Sequence, residues 1–313
     1  MANMKLVFMG SSPFGVRTLE ALIRSKHEVA TIYTQPSKRA GRGLNIQSSP
    51  MHQIAELNNK IIRTPYNLSG EDEKSFLEKI QPDIGIVVSY GMLIPDHILS
   101  IPKYGFLNVH PSLLPRWRGA APIQRSLING DKVTGISIIK LDTGLDTGDI
   151  CSSLEVAIDP KDDFQSLSSK LSKIGTKMIL DSIDNIINKS ISYRVQSEEN
   201  ISYAEKIDKS DTKISFENSA TDIINLIRGL SPNPGAWFTY NDGDSSFRVK
   251  ILSAEITPNN GPSGELLDDQ LLIACGEKSI KPSFLQREGK KIMSIDDFLR
   301  GIKMNKGVIL NKE

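Results

Sequence analysis

Over its first 150 residues the chain alternates short apolar runs with stretches of helical periodicity. That alternation limits it to a mostly parallel sheet with helices on both faces. Leu6, Val7, Phe8 and Met9 follow Lys5 as a strand-like run (5–9) closed by Gly10, and Pro13 behind Ser11 or Ser12 suits the capped first turn of a helix. Further strands are predicted at 27–34 (rich in β-branched residues), 60–63, 83–89, 106–110, 134–141 and 150–158, and helices at 50–57, 70–80 and 122–129. Phe164, Leu167, Leu171, Ile174 and Met178 recur at helical spacing, so 161–188 reads as a long closing helix. The polar, weakly periodic stretch 189–213 reads as a linker. Beyond it, Ile223, Ile224, Ile227 and Leu230 mark a helix at 219–230. Short strands follow at 236–240, 247–256, 270–274 and 279–285, and a helix near 296–301. Gly and Asp/Asn clusters separate the strands, as in a small OB-like β-barrel. The expected organisation is an α/β, Rossmann-like domain over 1–206, linker included, and a barrel over 207–313.

With 39% hydrophobic and 24% charged residues and a formal net charge of +1, the whole chain points to no particular partner. The two cysteines, Cys151 and Cys275, stand in no motif, so neither a disulfide framework nor a metal site is expected, only two buried thiols. No apolar run is long enough to span a membrane, and the run after Lys5 is too short for a signal peptide, so a cytoplasmic protein is expected.

Local charge is more informative. Residues 29–55 contain no acid but include Lys38, Arg39 and Arg42; the loop 35–49 is long, and Ala40-Gly41-Arg42-Gly43 makes it flexible. Residues 97–130 also lack acids and include Lys103, Arg116, Arg118 and Arg125. Two basic segments near one sheet edge suit phosphate contacts. Near the C-terminus, Lys281, Arg287, Lys290, Lys291, Arg300, Lys303 and Lys306 face only Glu288, Asp296 and Asp297. Such a patch suits backbone binding without base readout, and Lys206, Lys209 and Lys213 would extend it.

The chemistry-bearing stretch is Asn108-Val109-His110-Pro111. Asn108 and His110 lie two apart on one strand, so both side chains leave the same face of the sheet, near the strand's C-terminal end where ligands bind in such folds. The Asn amide can donate to a developing oxyanion, and the His can donate a second hydrogen bond and exchange protons near neutral pH. A carboxylate is still needed to orient the ring. Asp142, Asp146 and Asp149 lie in the next Asp/Gly/Thr-rich loop, expected to cap the same edge, and spacing does not choose among them.

The run Ser112-Leu113-Leu114-Pro115-Arg116-Trp117-Arg118-Gly119-Ala120-Ala121-Pro122-Ile123-Gln124, together with Ser89-Tyr90-Gly91-Met92-Leu93-Ile94-Pro95 and the Asp146 loop, resembles the methionyl-tRNA formyltransferase family, over nearly the whole chain. The resemblance implies a catalytic trio of Asn108, His110 and Asp146. It implies a formyl donor, 10-formyltetrahydrofolate, lying against Ser89, Tyr90, Gly91, Met92, Leu93, Ile94 and Pro95, against Ser112, Leu113, Leu114 and Pro115, and against Asp142. It implies initiator methionyl-tRNA as acceptor, met by Lys38, Arg39, Arg42, Lys206, Lys209, Lys290 and Lys291, with Arg42 matching the family's key arginine. Met51-His52 departs from the family's apolar-lysine pair, which removes one phosphate contact. The segment Ser231-Pro232-Asn233-Pro234-Gly235-Ala236-Trp237 matches the family as a packed turn. No metal and no membrane partner are implied, and a monomer is expected. The 10–15 turn lacks the full G-x-G-x-x-G pattern, so no dinucleotide is expected. The alternatives are a folate formyltransferase acting on a small-molecule amine, a formyltetrahydrofolate hydrolase, and a non-catalytic RNA-binding protein on the same scaffold. The intact trio opposes the last, and the long basic loop and second domain oppose the first.

Overall fold

The apolar runs of the first half become the strands of one seven-stranded sheet. The structure, a computed structural model, describes residues 3–40, 45–241 and 246–311. The strands are β1 (Lys5–Gly10), β2 (Glu28–Tyr33), β3 (Lys38–Ala40), β4 (Asn45–Gln47), β5 (Ile62–Arg63), β6 (Ile84–Val88), β7 (Phe106–His110), β8 (Arg118–Gly119), β9 (Val133–Lys140), β10 (Ile150–Ala157) and β11 (Tyr203–Ala204). The sheet runs β10-β9-β7-β6-β1-β2-β5. Strands β5, β2, β1, β6 and β7 are parallel; β9 is antiparallel to β7, and β10 to β9. Every residue of β6 and β7 is buried, as expected of strands covered on both faces.

Helices α1 (Val16–Arg24), α2 (Pro50–Leu57), α3 (Glu71–Ile80), α4 (Asp96–Leu99), α5 (Pro122–Ile128) and α6 (Phe164–Ile187) complete this part of the chain. Helices α1 and α6 share a face, joined by Thr18 and Thr176 hydroxyls 3.0 Å apart. On the opposite face Val7, Met9, Val87 and Phe106 pack with Leu77, Ile98 and Leu99 of α3 and α4. Val109 points at α6, where a Cβ added to Gly175 would lie 2.6 Å from its Cγ1. Strand alternation therefore puts Asn108 and His110 on the face shared with Phe106.

Three expectations change. Neither Ser11 nor Ser12 caps the first helix: Pro13–Gly15 form a 3-10 turn, Ser12 makes no cap bond, and Gly15 is the N-cap of α1. The 35–49 segment holds an antiparallel hairpin, with Lys38 opposite Gln47, built of strands too short for a sequence period to register. The 189–213 stretch is tied down: Arg194 bridges Ile150, and β11 pairs in parallel with β8.

Residues Met1–Pro122, Val133–Ala157 and Ser168–Ala204 form one compact unit, and Ile123–Lys132, Ile158–Leu167 and Glu205–Glu313 a second. In the second, α7 (Ala220–Leu230) is capped by Ser219, whose hydroxyl accepts from the Asp222 amide. It buries Ile223, Ile227 and Leu230 against an antiparallel sheet ordered β12 (Ala236–Asn241), β13 (Ser246–Thr257), β15 (Ser279–Arg287), β14 (Ile273–Ala274). Strand β16 (Met293–Ser294) pairs with β15 and leads into α8 (Ile295–Gly301). Bridges Leu266–Ile273 and Glu265–Ile309, with Asn311 N donating to Thr239 O at 3.3 Å, carry the sheet round from β14 to β12. The sheet thus curls into a half-barrel. The strand expected at 270–274 shortens to Ile273–Ala274 because Leu271 is left-handed, at φ 63°.

Alanine in place of glycine inside a helix is ordinarily worth about 1 kcal/mol of extra stability. At Gly175 the overlap with Val109 reverses the sign. Gly175→Ala is expected to destabilise by about 1–3 kcal/mol, read as a lower thermal midpoint; an unchanged or raised midpoint would mean that α6 is not tightly seated on the sheet.

Candidate active site

Asn108 and His110 are 9% and 3% exposed at the end of β7. Polar side chains buried that deeply need partners, and both find Asp146. Asn108 Nδ2 donates to Asp146 Oδ1 at 3.3 Å, and His110 Nδ1 lies 3.5 Å from Oδ2. The Gly119 amide donates to the same Oδ2 at 2.9 Å. The carboxylate is therefore held firmly by backbone and loosely by the two side chains. His110 Nε2 lies 2.9 Å from Trp117 O. A carbonyl only accepts, so Nε2 carries a proton and Nδ1 is the nitrogen that faces Asp146.

The loop bearing Asp146 does not leave the sheet at the edge expected. Because β9 is antiparallel, Lys140 stands opposite Leu107, and Leu141 N donates to Phe106 O at 2.8 Å. The loop emerges at the far end of β7 and folds back over the sheet face. Leu141 anchors it against Leu114, Ile139 and Ile150. Asp146 itself is left-handed, at φ 53°, a conformation that costs a non-glycine residue about 1–3 kcal/mol. Asp142 is exposed and spends its carboxylate within the loop, accepting from Gly144 N at 3.0 Å and from Thr147 Oγ1 at 2.8 and 2.9 Å. Asp149 offers its backbone carbonyl to Lys140 N at 2.9 Å.

Several residues around the trio carry no signal in the sequence. Gln196, from the presumed linker, donates from Nε2 to the carbonyls of Asp146 and Gly148, both at 2.8 Å. Its Oε1 accepts from buried Arg118, Nε at 3.1 Å and Nη2 at 2.7 Å. Ser202 accepts at Oγ from Trp117 N at 3.0 Å and at its carbonyl from Arg118 N at 2.9 Å. Arg118 stood out only as a candidate phosphate ligand; its burial assigns it to the scaffold instead. Gln196 and Ser202 lie in a polar stretch with no period to mark them.

Two further segments flank the trio's unit. Ser89 and Gly91 are left-handed, at φ 50° and 75°. Ser11 Oγ donates to Tyr90 O at 3.1 Å, and Gln35 Nε2 reaches the carbonyls of Tyr90 and Gly91, both at 3.1 Å. Tyr90 and Ile94 are buried anchors, Met92 and Pro95 half-buried, and Leu93 is 77% exposed. The turn 112–115 is held by Ser137, whose Oγ donates to Ser112 O at 2.8 Å and accepts from Leu114 N at 3.1 Å. Leu93 here and Leu145 beside Asp146 are both exposed.

Of the expected RNA contacts, Lys38 and Arg39 fall on β3 and Arg42 lies outside the described residues. In the second unit Lys206, Lys209, Lys290 and Lys291 are exposed. The same unit adds a stacked arginine that charge counting did not single out, Arg248 over Trp237 at 4.3 Å, and it stacks Arg287 of the basic patch over Phe247 at 4.0 Å. Among the described residues no group of His, Cys, Asp and Glu could hold a metal ion, and no helix is long and apolar enough to cross a membrane.

This fold and site define a formyl transferase: residues 4–183 match the formyl transferase family and 206–303 the formyl transferase C-terminal domain, and the chain belongs to that family. Solved structures share the fold. An N-formyltransferase from Helicobacter canadensis, in complex with folinic acid and dTDP-3-aminofucose, superposes with a TM-score of 0.67 at 20% identity, covering 89% of this chain and 99% of that one. HypX from Aquifex aeolicus, in complex with tetrahydrofolic acid, superposes at 0.66 and 14% identity; the alignment covers 95% of this chain but 47% of HypX. Within the family the chain belongs with the methionyl-tRNA formyltransferases. It is 42% identical over 300 residues to that of Agrobacterium fabrum, covering 96% of each chain, and 42% identical over 304 residues to that of Brucella ovis, covering 97% of this chain and 99% of the relative.

The cysteines stand apart from this chemistry. Cys275 is buried, but Cys151 only partly so, against expectation. Burial pushes the Cys151 thiol up to about 12 and that of Cys275 up to about 11, from 9.0. Both stay protonated at neutral pH and are poor nucleophiles. At pH 8 iodoacetamide is expected to alkylate native Cys151 roughly a thousandfold more slowly than the urea-unfolded chain; comparable rates would contradict a buried, neutral thiol.

Proposed function

We propose that Asn108, His110 and Asp146 carry out the family's reaction, moving a formyl group from 10-formyltetrahydrofolate to the α-amino group of methionine on initiator tRNA. The convergence of Asn108 Nδ2 and His110 Nδ1 on one carboxylate carries this reading. The donor supplies an activated formyl carbon. When the neutral amine attacks it, negative charge develops on the formyl oxygen. Asn108 has two N–H groups, one on Asp146 and a second for that oxygen. His110, in its protonated form, would add positive charge at the same place. Asp146 balances that charge and keeps the ring aimed, with Trp117 O as the second anchor. As the bond to the amine nitrogen forms and the bond to the folate nitrogen breaks, the amine's proton passes to the leaving nitrogen, with the His110–Asp146 pair as the local relay.

The segment 89–95, the 112–115 turn and the Asp142 side of the loop would receive the donor; their exposed Leu93 and left-handed Ser89 and Gly91 suit a planar ring laid on backbone. Exposed Lys206, Lys209, Lys290 and Lys291 fit phosphate contacts in the second unit, with Lys38, Arg39 and Arg42 proposed for the acceptor end. The decisive assay incubates the protein with the donor and, in turn, methionyl-tRNA, a nucleotide-linked amino sugar and water. Formylmethionyl-tRNA is the expected product; formylated sugar or free formate alone would overturn this reading.

Asn108→Ala and His110→Ala are each expected to lower turnover roughly 100–1000-fold while leaving the thermal midpoint nearly unchanged. Asp146→Asn should be almost as damaging and Asp142→Asn mild. The reverse order would assign the carboxylate's role to Asp142.

Affinity for the aminoacyl-tRNA should fall steeply between low and moderate salt, since phosphate contacts release counterions, while donor affinity should barely move. The double variant Lys290→Ala with Lys291→Ala should raise the tRNA concentration needed for half-maximal rate and leave saturated turnover close to wild type. If it matches wild type at every concentration, those lysines are ordinary solvated surface.

A further inference from the structure

We propose that Gln196 is a positioning residue for the formyl transfer, coupling buried Arg118 to the backbone of Asp146 so that the carboxylate stays over His110. The proposal rests on the catalytic reading of Asp146 given above.

The chain approaches the site along an unusual route. Arg194 exchanges backbone hydrogen bonds with Ile150, at 3.0 and 2.8 Å, which fixes the segment to the start of β10. Two residues later the Gln196 side chain is buried. Both protons of its amide are used on the loop, one on Asp146 O and one on Gly148 O, each at 2.8 Å. Its oxygen takes two N–H groups from the Arg118 guanidinium. A cation pulling on the amide oxygen polarises the group and strengthens the donation at the other end.

This bears on chemistry because of the conformation being held. Asp146 sits at φ 53°, a region a non-glycine residue leaves unless the surroundings over-determine it. The side-chain contacts at 3.3 and 3.5 Å are too long to impose it. The firm contacts are the Gly119 amide on Oδ2 at 2.9 Å and Gln196 on the carbonyl at 2.8 Å. Gly119 follows Arg118 directly, so both firm contacts trace to the same two residues of β8. Gln196 touches neither reacting group. Its effect must pass through the direction of one carboxylate.

The test is a double-mutant cycle on the full-length protein. Gln196→Met keeps the volume and removes every hydrogen bond. It is expected to lower kcat about 10–50-fold, with KM for tRNA within about twofold, because about 1.4 kcal/mol of lost alignment is a tenfold change in rate. In the Asp146→Asn background the same substitution should change kcat less than about threefold, since the group it positions is already disabled. Gln196→Glu keeps an acceptor for Arg118 but cannot donate to two carbonyls; it is carried through the same cycle with the same expectation, so a folding failure of the Met variant leaves the proposal exposed to refutation. An equal loss in both backgrounds would show a general structural role and overturn the proposal, as would a Gln196→Met enzyme with wild-type kcat. Near-wild-type turnover of Asp146→Asn alone would instead sink the catalytic reading of Asp146, a distinct result.

Discussion

Strand β9 pairs antiparallel with β7, and that reversal governs how the site is assembled. A parallel neighbour would deliver its loop to the edge where His110 stands. An antiparallel one delivers it to the opposite end, so the loop bearing Asp146 must turn back over the sheet and lie on the face from which Asn108 and His110 project. A loop lying on a sheet face has no ladder of its own. Its backbone groups find partners elsewhere, which is why the Gln196 side chain reaches the Asp146 and Gly148 carbonyls, while the Gly119 backbone amide holds the Asp146 carboxylate.

The arrangement places polar groups where the fold otherwise buries only apolar ones. Strand β7 is buried throughout, yet two of its five residues are Asn and His. Each such group carries a desolvation cost of about 1–3 kcal/mol unless paired. The pairing is achieved on Asp146 and, for His110, also on the Trp117 carbonyl; Asp146 in turn is held by the Gly119 amide and by Gln196. The contacts on the carboxylate differ in firmness: the Gly119 amide meets it at 2.9 Å, the Asn108 amide and the His110 imidazole at 3.3 and 3.5 Å.

Much of this was legible in the residues. The strand-like runs located every strand of the large sheet within two residues at each end, although only some of them, such as β6 and β7, are buried throughout. The two-residue spacing of Asn108 and His110 gave their common face. Choosing Asp146 over Asp142 and Asp149 came from resemblance, since three carboxylates in one turn-rich loop look alike until the turn is folded; Asp142 then proves to be the one that closes the turn on Gly144 and Thr147. Strand direction was also hidden, because an apolar run reads the same in either sense. Gln196 and Ser202 could not be seen at all: single long-range hydrogen bonds leave no period, and the stretch holding them has the composition of a linker.

The route of residues 194–204 has a consequence for how the molecule comes into being. The formyl transferase family match ends at 183, after all three members of the trio have been passed. Yet the amide on the Asp146 carbonyl comes from 196, the hydroxyl on Trp117 from 202, and the strand beside Arg118 from 203 and 204. During synthesis, the proposed trio thus leaves the ribosome well before the residues that hold it in register. A fragment cut at 183, where the match to the first family model ends, would possess the proposed trio without the frame that holds it.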